Sequence, residues 1–299
     1  MTTAIIYNPV AGRGKARATV DAVMDEARKH FPGVEVLPTE APGDGVRRGR
    51  EAAERGFERV IVVGGDGTVH EAANGILAAK GAVRPLLSVI PEGTGNDFAK
   101  LVGTVKLGPR EAVRRLARGT PGKFDVGEAW GEYFVNTLGV GLDAEVTSHL
   151  RHVKRLRGTL AYGKALLGAL RTYEDVEMEI EVGTERFEGK WLMVAVGIGA
   201  IEGGGFHLMP GARPDDGLFD ICAIRPTPLL RLLSLIPRVM LGTHGSAPEA
   251  WLGRATALTL RAKKPITLHA DGELRSPGER EVTIQLHAGV FPVLKVSEG

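Results

Sequence analysis

Val60-Ile61-Val62-Val63 runs straight into Gly64-Gly65-Asp66-Gly67-Thr68. Four β-branched residues in a row fit a parallel strand covered on both faces. The glycines that follow permit a tight turn and a close backbone approach. Helical spacing then predicts a helix from about Val69 to Lys80. Thr68 stands where it could cap that helix, with Glu71 three residues on completing a capping box.

The same strand–turn–helix rhythm extends outward on both sides. Ala4-Ile5-Ile6-Tyr7 ends at Asn8-Pro9, and a helix follows with Ala16, Val20, Val23, Met24, Ala27 and Phe31 on one face. Val34 to Leu37 reads as a strand ending at Pro38-Thr39. The next helix has Val46, Ala52, Ala53 and Phe57 as its inner positions. Leu86 to Ile90 is a fourth strand, and a helix begins near Phe98. This order predicts an α/β domain over residues 1–124, built on a doubly wound parallel sheet.

After Phe124 the pattern changes. Glu177-Met178-Glu179-Ile180-Glu181-Val182 alternates at period two, and Trp191 to Val196 follows a turn at Gly183-Thr184. Ala257 to Leu260, Ile266 to His269 and Val282 to Leu286 are further strands. The series predicts an antiparallel β-sandwich or barrel over residues 125–290. Helical inserts are expected at Arg157 to Arg171 and Pro228 to Leu241.

Composition narrows the function classes. The chain has 299 residues, 43% hydrophobic and 25% charged, as in folded globular proteins. Its net charge of +2 gives no case for nucleic acid. The lone Cys222 lies in the apolar run Phe219 to Ile224, where it is expected to be a small core residue. No signal-peptide pattern opens the sequence. The longest apolar stretch, Pro228 to Gly242, is broken by Arg231, Pro237 and Arg238, so it is not expected to span a membrane. A cytoplasmic protein is the expectation.

Three loops follow strands and precede helices: Asn8 to Lys15, Gly64 to Thr68, and Pro91 to Asp97. In an open parallel sheet they share the carboxyl edge, where ligands bind. Glycines and free helix N-termini suit phosphate. No Gly-Lys-Ser/Thr follows the glycines, so this is no Walker A loop, and the Rossmann fingerprint is absent too. Asp66 would repel a phosphate unless a cation intervenes, which points to a magnesium nucleotide.

Gly64-Gly65-Asp66-Gly67-Thr68-Val69-His70-Glu71-Ala72-Ala73-Asn74-Gly75 resembles the signature of the diacylglycerol-kinase-like lipid kinases. Four further segments agree in order. They are Asn8-Pro9 with Gly12; Thr94-Gly95-Asn96-Asp97-Phe98-Ala99; Gly203 through Pro210 with Asp215 to Asp220; and Asp271-Gly272-Glu273. The resemblance spans nearly the whole chain. It implies an ATP-dependent, magnesium-dependent transfer of phosphate to a lipid hydroxyl, with residues 291–299 returning to the first domain. By resemblance, Asn8, Thr39, Gly64, Gly65, Asp66, Gly67, Thr68 and Thr94 hold ATP. Asp216 gives its carboxylate, and Arg213 and Leu218 their carbonyls, to magnesium. Asp271 is the base, with Glu273 its neighbour. Ala11, Ile198 and His70 depart from the family's more frequent serine, asparagine and asparagine.

Several positions keep two readings. Asp271 taken alone is an Asp-Gly turn residue; in the family context it is the base. Asp66 is its rival for that role. Asp143 is either a contact for the lipid head group or a solvated loop acid. From Val146 to Tyr173 no acid occurs, while His149, Arg151, His152, Lys154, Arg155, Arg157, Lys164 and Arg171 do. That stretch is a solvated helix face or a contact for anionic lipid at the inner membrane face. Leu229, Leu230, Leu232, Leu233, Leu235 and Ile236 could line a lipid entrance, with a core-packed helix favoured. An NAD kinase and a non-catalytic nucleotide-binding regulator are the alternatives. Asn96 to Ala99 and Asp271-Gly272-Glu273 speak against the first, and the joint presence of Asp66, Asp216 and Asp271 against the second.

Overall fold

The computed structural model describes residues 2–80, 84–150, 152–153, 156, 158–171, 173–275 and 278–296. The chain divides into two compact units: Met1–Phe124 with Gly289–Gly299, and Asp125–Ala288.

The first unit runs β1 (Thr3–Tyr7), α1 (Ala11–His30), β2 (Glu35–Pro38), α2 (Asp44–Glu54), β3 (Arg59–Gly64), α3 (Asp66–Ala78), β4 (Leu86–Pro91), α4 (Asp97–Leu101) and α5 (Pro109–Ala117). The strands lie in the order β2-β1-β3-β4, all parallel. Val293, near the end of the chain, pairs with Leu87 as a further parallel neighbour. Ile5, Ile61, Val63 and Ile90 form a core with Val23 and Ala27 of α1, with Phe31 just after it, and with Val113 and Leu116 of α5. Fully burying each large apolar side chain contributes about 1.5–3 kcal/mol, and that burial fixes which face of α1 turns inward.

Helices α2 and α3 meet backbone to backbone. A Cβ on Gly49 would lie 2.2 Å from the Ala72 carbonyl oxygen, and one on Gly75 would lie 2.0 Å from that of Val46. Sequence spacing marked Ala52 and Ala53 of this interface but not its glycines.

The start of α3 differs from the sequence expectation. The helix opens at Asp66, its N-cap is Gly65, and no side chain caps it. Thr68 therefore lies inside the first turn. Glu71 instead accepts the backbone N–H groups of Gly43 and Gly45, each at 2.9 Å. It serves the N-terminus of α2, so there is no capping box. The glycine loop thus enters the helix earlier, leaving the first N–H groups of α3 without a side-chain cap.

The second unit contains β5 (Thr120–Ala129), β6 (Glu132–Phe134), β7 (Thr137–Gly141), α6 (Leu142–Leu150), α7 (Gly158–Ala169), β8 (Val176–Val182), β9 (Glu185–Trp191), β10 (Met193–Gly197), β11 (Phe219–Ile224), α8 (Leu229–Met240), β12 (Ala250–Ala255), β13 (Ala257–Ala262), β14 (Leu268–Ala270), β15 (Glu273–Arg275) and β16 (Glu281–Lys295). Of these, β5 begins and β16 ends in the first unit. One antiparallel sheet has the order β12-β11-β10-β7-β14-β15. A second antiparallel set joins β16, β13, β8 and β9. Met178, Ile180 and Val182 of β8 turn into a core shared with Leu138, Val140, Val194 and Ile221 of the first sheet. The stretch read as one strand from Trp191 to Val196 is broken at Leu192. Trp191 ends β9 and pairs with β8, whereas Met193 opens β10 between β7 and β11.

The other face of the first sheet is covered by α6, α7 and α8. Leu142, Tyr162, Ala165, Leu232 and Val239 pack there on Met193, Ala195, Cys222 and Ile224. Cys222 is fully buried, and burial, with the nearby Asp143 charge, pushes its thiol up to about 12. It is a core residue, as the sequence indicated.

Candidate active site

The carboxyl ends of β1, β3 and β4 draw their loops together. Glu92 donates its N–H to the Gly64 carbonyl at 2.8 Å. A Cβ on Gly65 would come within 3.0 Å of Gly93 Cα, and one on Gly12 within 2.7 Å of the Glu92 carbonyl oxygen. Thr39 donates its N–H to the Tyr7 carbonyl at 2.9 Å, which brings the end of β2 to the same edge. Asn8, Thr39, Gly64 to Thr68, and Thr94 therefore lie at one sheet edge, on loops, a strand end and the first turn of α3, as parallel order requires.

Two carboxylates flank this edge. Asp66 Oδ1 accepts the Phe98 N–H at 3.1 Å, in the first turn of α4. A Cβ built on Gly95 would lie 3.0 Å from Asp66 Oδ2 and 3.1 Å from Asp97 Oδ2. Asp97 also pairs with Lys100. The sequence carried Asp97 inside a motif, but its placement with Asp66 about Gly95 emerges only once β3 and β4 are side by side.

The segment expected to hold magnesium is a turn in the second unit. Asp125 donates its N–H to the Pro214 carbonyl and accepts the Gly217 N–H, both at 2.7 Å. Asp216 Oδ1 accepts the Leu218 N–H at 3.2 Å, and Oδ2 forms a close ion pair with Arg254. Arg254 also reaches Asp220 at 3.3 Å. Burial raises the Asp220 pKa against the opposing pull of Arg254. In this arrangement each Asp216 oxygen already meets a protein donor, so a cation at Arg213, Asp216 and Leu218 would compete with Arg254 for that carboxylate.

Asp271 and Gly272 join β14 to β15 with φ of +50° and +83°. Consecutive left-handed residues make the tight hairpin that an Asp-Gly pair favours. The Asp271 carboxylate is buried and accepts three backbone N–H groups. Oδ1 takes Asn136 at 2.8 Å and Thr137 at 3.1 Å, and Oδ2 takes Val135 at 3.0 Å. Its own N–H donates to the Thr137 carbonyl at 2.8 Å. Glu273, the first residue of β15, is half-buried.

Asp143 is not a solvated loop acid. It lies in the first turn of α6, 2% exposed, and accepts the Tyr162 hydroxyl at 2.8 Å. His269 Nε2 sits 3.2 Å from Asp143 Oδ2 and 2.9 Å from Glu202 Oε1. Burial opposes a charge on His269, but Glu202 and Asp143 outweigh it and hold its pKa well above the usual histidine value. No local sequence signal marks Glu202 or His269, since one lies in a glycine-rich loop and the other within a strand.

Beside this cluster an apolar cavity opens beneath α6, α7 and α8, with Asp143, Tyr162, Phe206 and Leu235 in its lining. The outer faces of two of those helices are apolar as well. Leu160 and Leu167 of α7, and Leu229, Leu230 and Leu233 of α8, are exposed. Thus α8 packs Leu232 and Leu235 inward, as expected of a core helix, while presenting leucines on its other side. His149 pairs with Glu145 at 3.4 Å; Arg151, Lys154, Arg155 and Arg157 lie outside the described residues. No helix among the described residues is long and apolar enough to cross a membrane.

A parallel sheet with glycine loops at one edge, followed by an antiparallel sandwich with an Asp-Gly-Glu hairpin, is the arrangement expected of the two-domain lipid-kinase type. The family model for the diacylglycerol kinase catalytic domain matches residues 2–129, and that for the YegS C-terminal NAD kinase beta sandwich-like domain matches residues 136–294. The chain is 30% identical to a diacylglycerol kinase of Bacillus subtilis (strain 168), over 92% of this chain and 91% of that protein. It is 31% identical to a probable lipid kinase YegS-like of Pseudomonas aeruginosa, over 90% and 86%. A solved diacylglycerol kinase structure from Bacillus anthracis str. Sterne superposes with a TM-score of 0.74 at 23% identity, covering 98% of this chain and 96% of that one, a likeness of fold. This chain belongs to the diacylglycerol kinase and YegS-like family and is a lipid kinase.

Proposed function

We propose that this kinase transfers the γ-phosphate of ATP to the hydroxyl of a diacylglycerol or closely related lipid, with magnesium. The observation that carries the nucleotide half is the convergence of the glycine loops at one sheet edge. There the glycine turn at Gly65 to Gly67, at the N-terminus of α3, and the loop bearing Thr94 suit phosphate, with Asn8 and Thr39 alongside. Magnesium would neutralise charge on the phosphates. Asp66 and Asp97, placed about Gly95, are carboxylates suited to meet it at this edge. At the Arg213, Asp216 and Leu218 turn a cation would compete with Arg254 for the Asp216 carboxylate.

Transfer needs one proton removed. The lipid oxygen forms its bond to the γ-phosphorus, the bond to the β-phosphate oxygen breaks, and the hydroxyl proton passes to a carboxylate. We assign that carboxylate to Glu273. Asp271, with both oxygens taken by backbone donors, fixes the hairpin that presents it. Asp143 lies at the apolar cavity, where an acyl-bearing substrate finds apolar walls and a polar floor. The exposed leucines of α7 and α8 suit contact with the membrane surface that supplies the lipid.

The test is a phosphorylation assay with labelled ATP over a panel of diacylglycerol, phosphatidylglycerol, a sphingoid base, undecaprenol and NAD. Incorporation into diacylglycerol that depends on magnesium is the expected result. Incorporation into NAD alone would overturn the lipid assignment, and none at all would leave a nucleotide-binding regulator.

A further inference from the structure

The buried Asp143–His269–Glu202 cluster centres on His269 of β14, the strand that ends in the Asp271–Gly272 hairpin. His269 is fully buried, and its two ring nitrogens face different partners. Nε2 faces the carboxylates of Asp143 and Glu202. Nδ1 accepts the backbone N–H of Gly272 at 3.3 Å. The strand beside it makes room for this arrangement. A Cβ on Gly139 would lie 2.1 Å from Asp143 Oδ2 and 2.4 Å from His269 Nε2. Any side chain on that residue of β7 would push the acid and the imidazole apart.

We propose that His269 is a positioning residue for phosphoryl transfer, its unprotonated Nδ1 holding Gly272, and through the hairpin Glu273, while Asp143 and Glu202 keep the ring's proton on Nε2. This rests on the lipid-kinase reading of Glu273. The reasoning is one of donors and acceptors. A neutral imidazole has one N–H and one acceptor nitrogen, and the bond made by one fixes the role of the other. Two carboxylates beside Nε2 demand a proton there. Nδ1 is then free to accept Gly272. A proton on Nδ1 would set donor against donor and release the glycine. The raised proton affinity of this site is a property of the coupled His269–Asp143–Glu202 cluster and not of the ring alone: its second proton is held on the carboxylates, because Nδ1 already faces the Gly272 N–H. The other groups facing the cluster fit this arrangement. Tyr162 of α7 donates its hydroxyl to Asp143, and the Cys222 thiol of β11 is held neutral. The Asp271 carboxylate of the hairpin itself is turned to the backbone of residues 135–137.

The same geometry disfavours the obvious rival, a divalent cation at these three side chains, whose ligand atoms lie within 4.8 Å of one another. A cation on Nε2 requires that nitrogen's lone pair. The remaining proton then sits on Nδ1, where Gly272 already points its own N–H.

Two substitutions separate the nitrogens. In His269→Asn the amide oxygen replaces Nδ1 and leaves the acids unmet; in His269→Gln the terminal amide replaces Nε2 and leaves Gly272 unmet. With phosphorylation of diacylglycerol followed on the full chain, kcat of His269→Gln should fall at least about tenfold below that of His269→Asn, since small misplacement of a reacting group costs up to ~10²-fold. KM for ATP should change less than twofold in both. Equal kcat losses, or full turnover in His269→Gln, would overturn the proposal. Where a variant does not fold, 15N spectra of the wild-type imidazole decide: an unprotonated Nδ1 at neutral pH supports the proposal, and a protonated Nδ1 or a metal on Nε2 overturns it. A wild-type chain that phosphorylates no lipid would defeat the functional reading instead, and the 15N result would stand apart from that failure.

Discussion

Asp271 accepts the backbone N–H of Asn136 at 2.8 Å, joining the hairpin after β14 to the chain just before β7. Two more N–H groups, from Val135 and Thr137, converge on the same carboxylate. An acid so engaged holds structure, whereas Glu273 two residues on is partly open. We expect Asp271→Asn to lose about 1–3 kcal/mol of stability, as the amide keeps one acceptor oxygen and sets its NH2 against a buried N–H on the other side, read by urea denaturation. Glu273→Gln should leave the urea midpoint unchanged and lower kcat about 10²–10⁴-fold, the usual range for general-base removal. Normal turnover in Glu273→Gln, with a folded but inactive Asp271→Asn, would return the base role to Asp271.

Arg254 competes with any cation for Asp216. Arg254→Ala should therefore lower the magnesium concentration needed for half-maximal activity several-fold if the Asp216 turn binds metal. Asp216→Asn in the same background should cancel that gain. A magnesium titration indifferent to both changes would confine the metal requirement to the nucleotide edge at Asp66 and Asp97.

The glycine contact between α2 and α3 makes a prediction about stability alone. A methyl group on Gly49 meets the Ala72 carbonyl oxygen at 2.2 Å, too close for either helix backbone to yield cheaply. Gly49→Ala should destabilise the chain by about 1–3 kcal/mol through overpacking, despite alanine's better helix propensity. Gly56→Ala, where nothing lies within 4 Å of the added carbon but φ is +75°, separates backbone strain from overpacking. A Gly49→Ala midpoint at or above wild type would show that the helices can part.

How far the sequence carried depends on the range of the interactions involved. Parallel order followed from the β-branched run at Val60 and its glycine turn, because both are local signals. Thr68 and Glu71 misled, since capping-box spacing is local but the partner of Glu71 is Gly45 on another helix. Leu192 misled for a similar reason. It sits where one strand leaves its sheet for another, and apolar alternation does not register which neighbour a strand pairs with. The Asp143 cluster was legible by one member in three. Glu202 and His269 acquire meaning only when β14, α6 and the glycine-rich loop are packed together.

Leu160, Leu167, Leu229, Leu230 and Leu233 are exposed on the helices that roof the apolar cavity. On a freely diffusing monomer such a face has no favourable use, while against a lipid surface each buried leucine contributes about 1.5–3 kcal/mol. Leu230, at 83% exposed, and Leu160, at 72%, make the cleanest sites for change, because neither packs into the core. Leu230→Asp combined with Leu160→Asp should leave the melting temperature near wild type and reduce flotation with diacylglycerol-containing vesicles. The apparent KM for vesicle-borne diacylglycerol should rise several-fold, whereas turnover on a short-chain, monomerically dispersed diacylglycerol should stay within about twofold, because the chemistry is untouched. Comparing neutral with anionic vesicles then apportions binding between leucines and basic residues. Charge contributes about 1 kcal/mol per Lys or Arg near an anionic surface, so equal flotation on both vesicle types would leave the leucine face as the docking element. Unchanged flotation in the double variant would remove this face from the membrane and leave its exposed leucines to another partner.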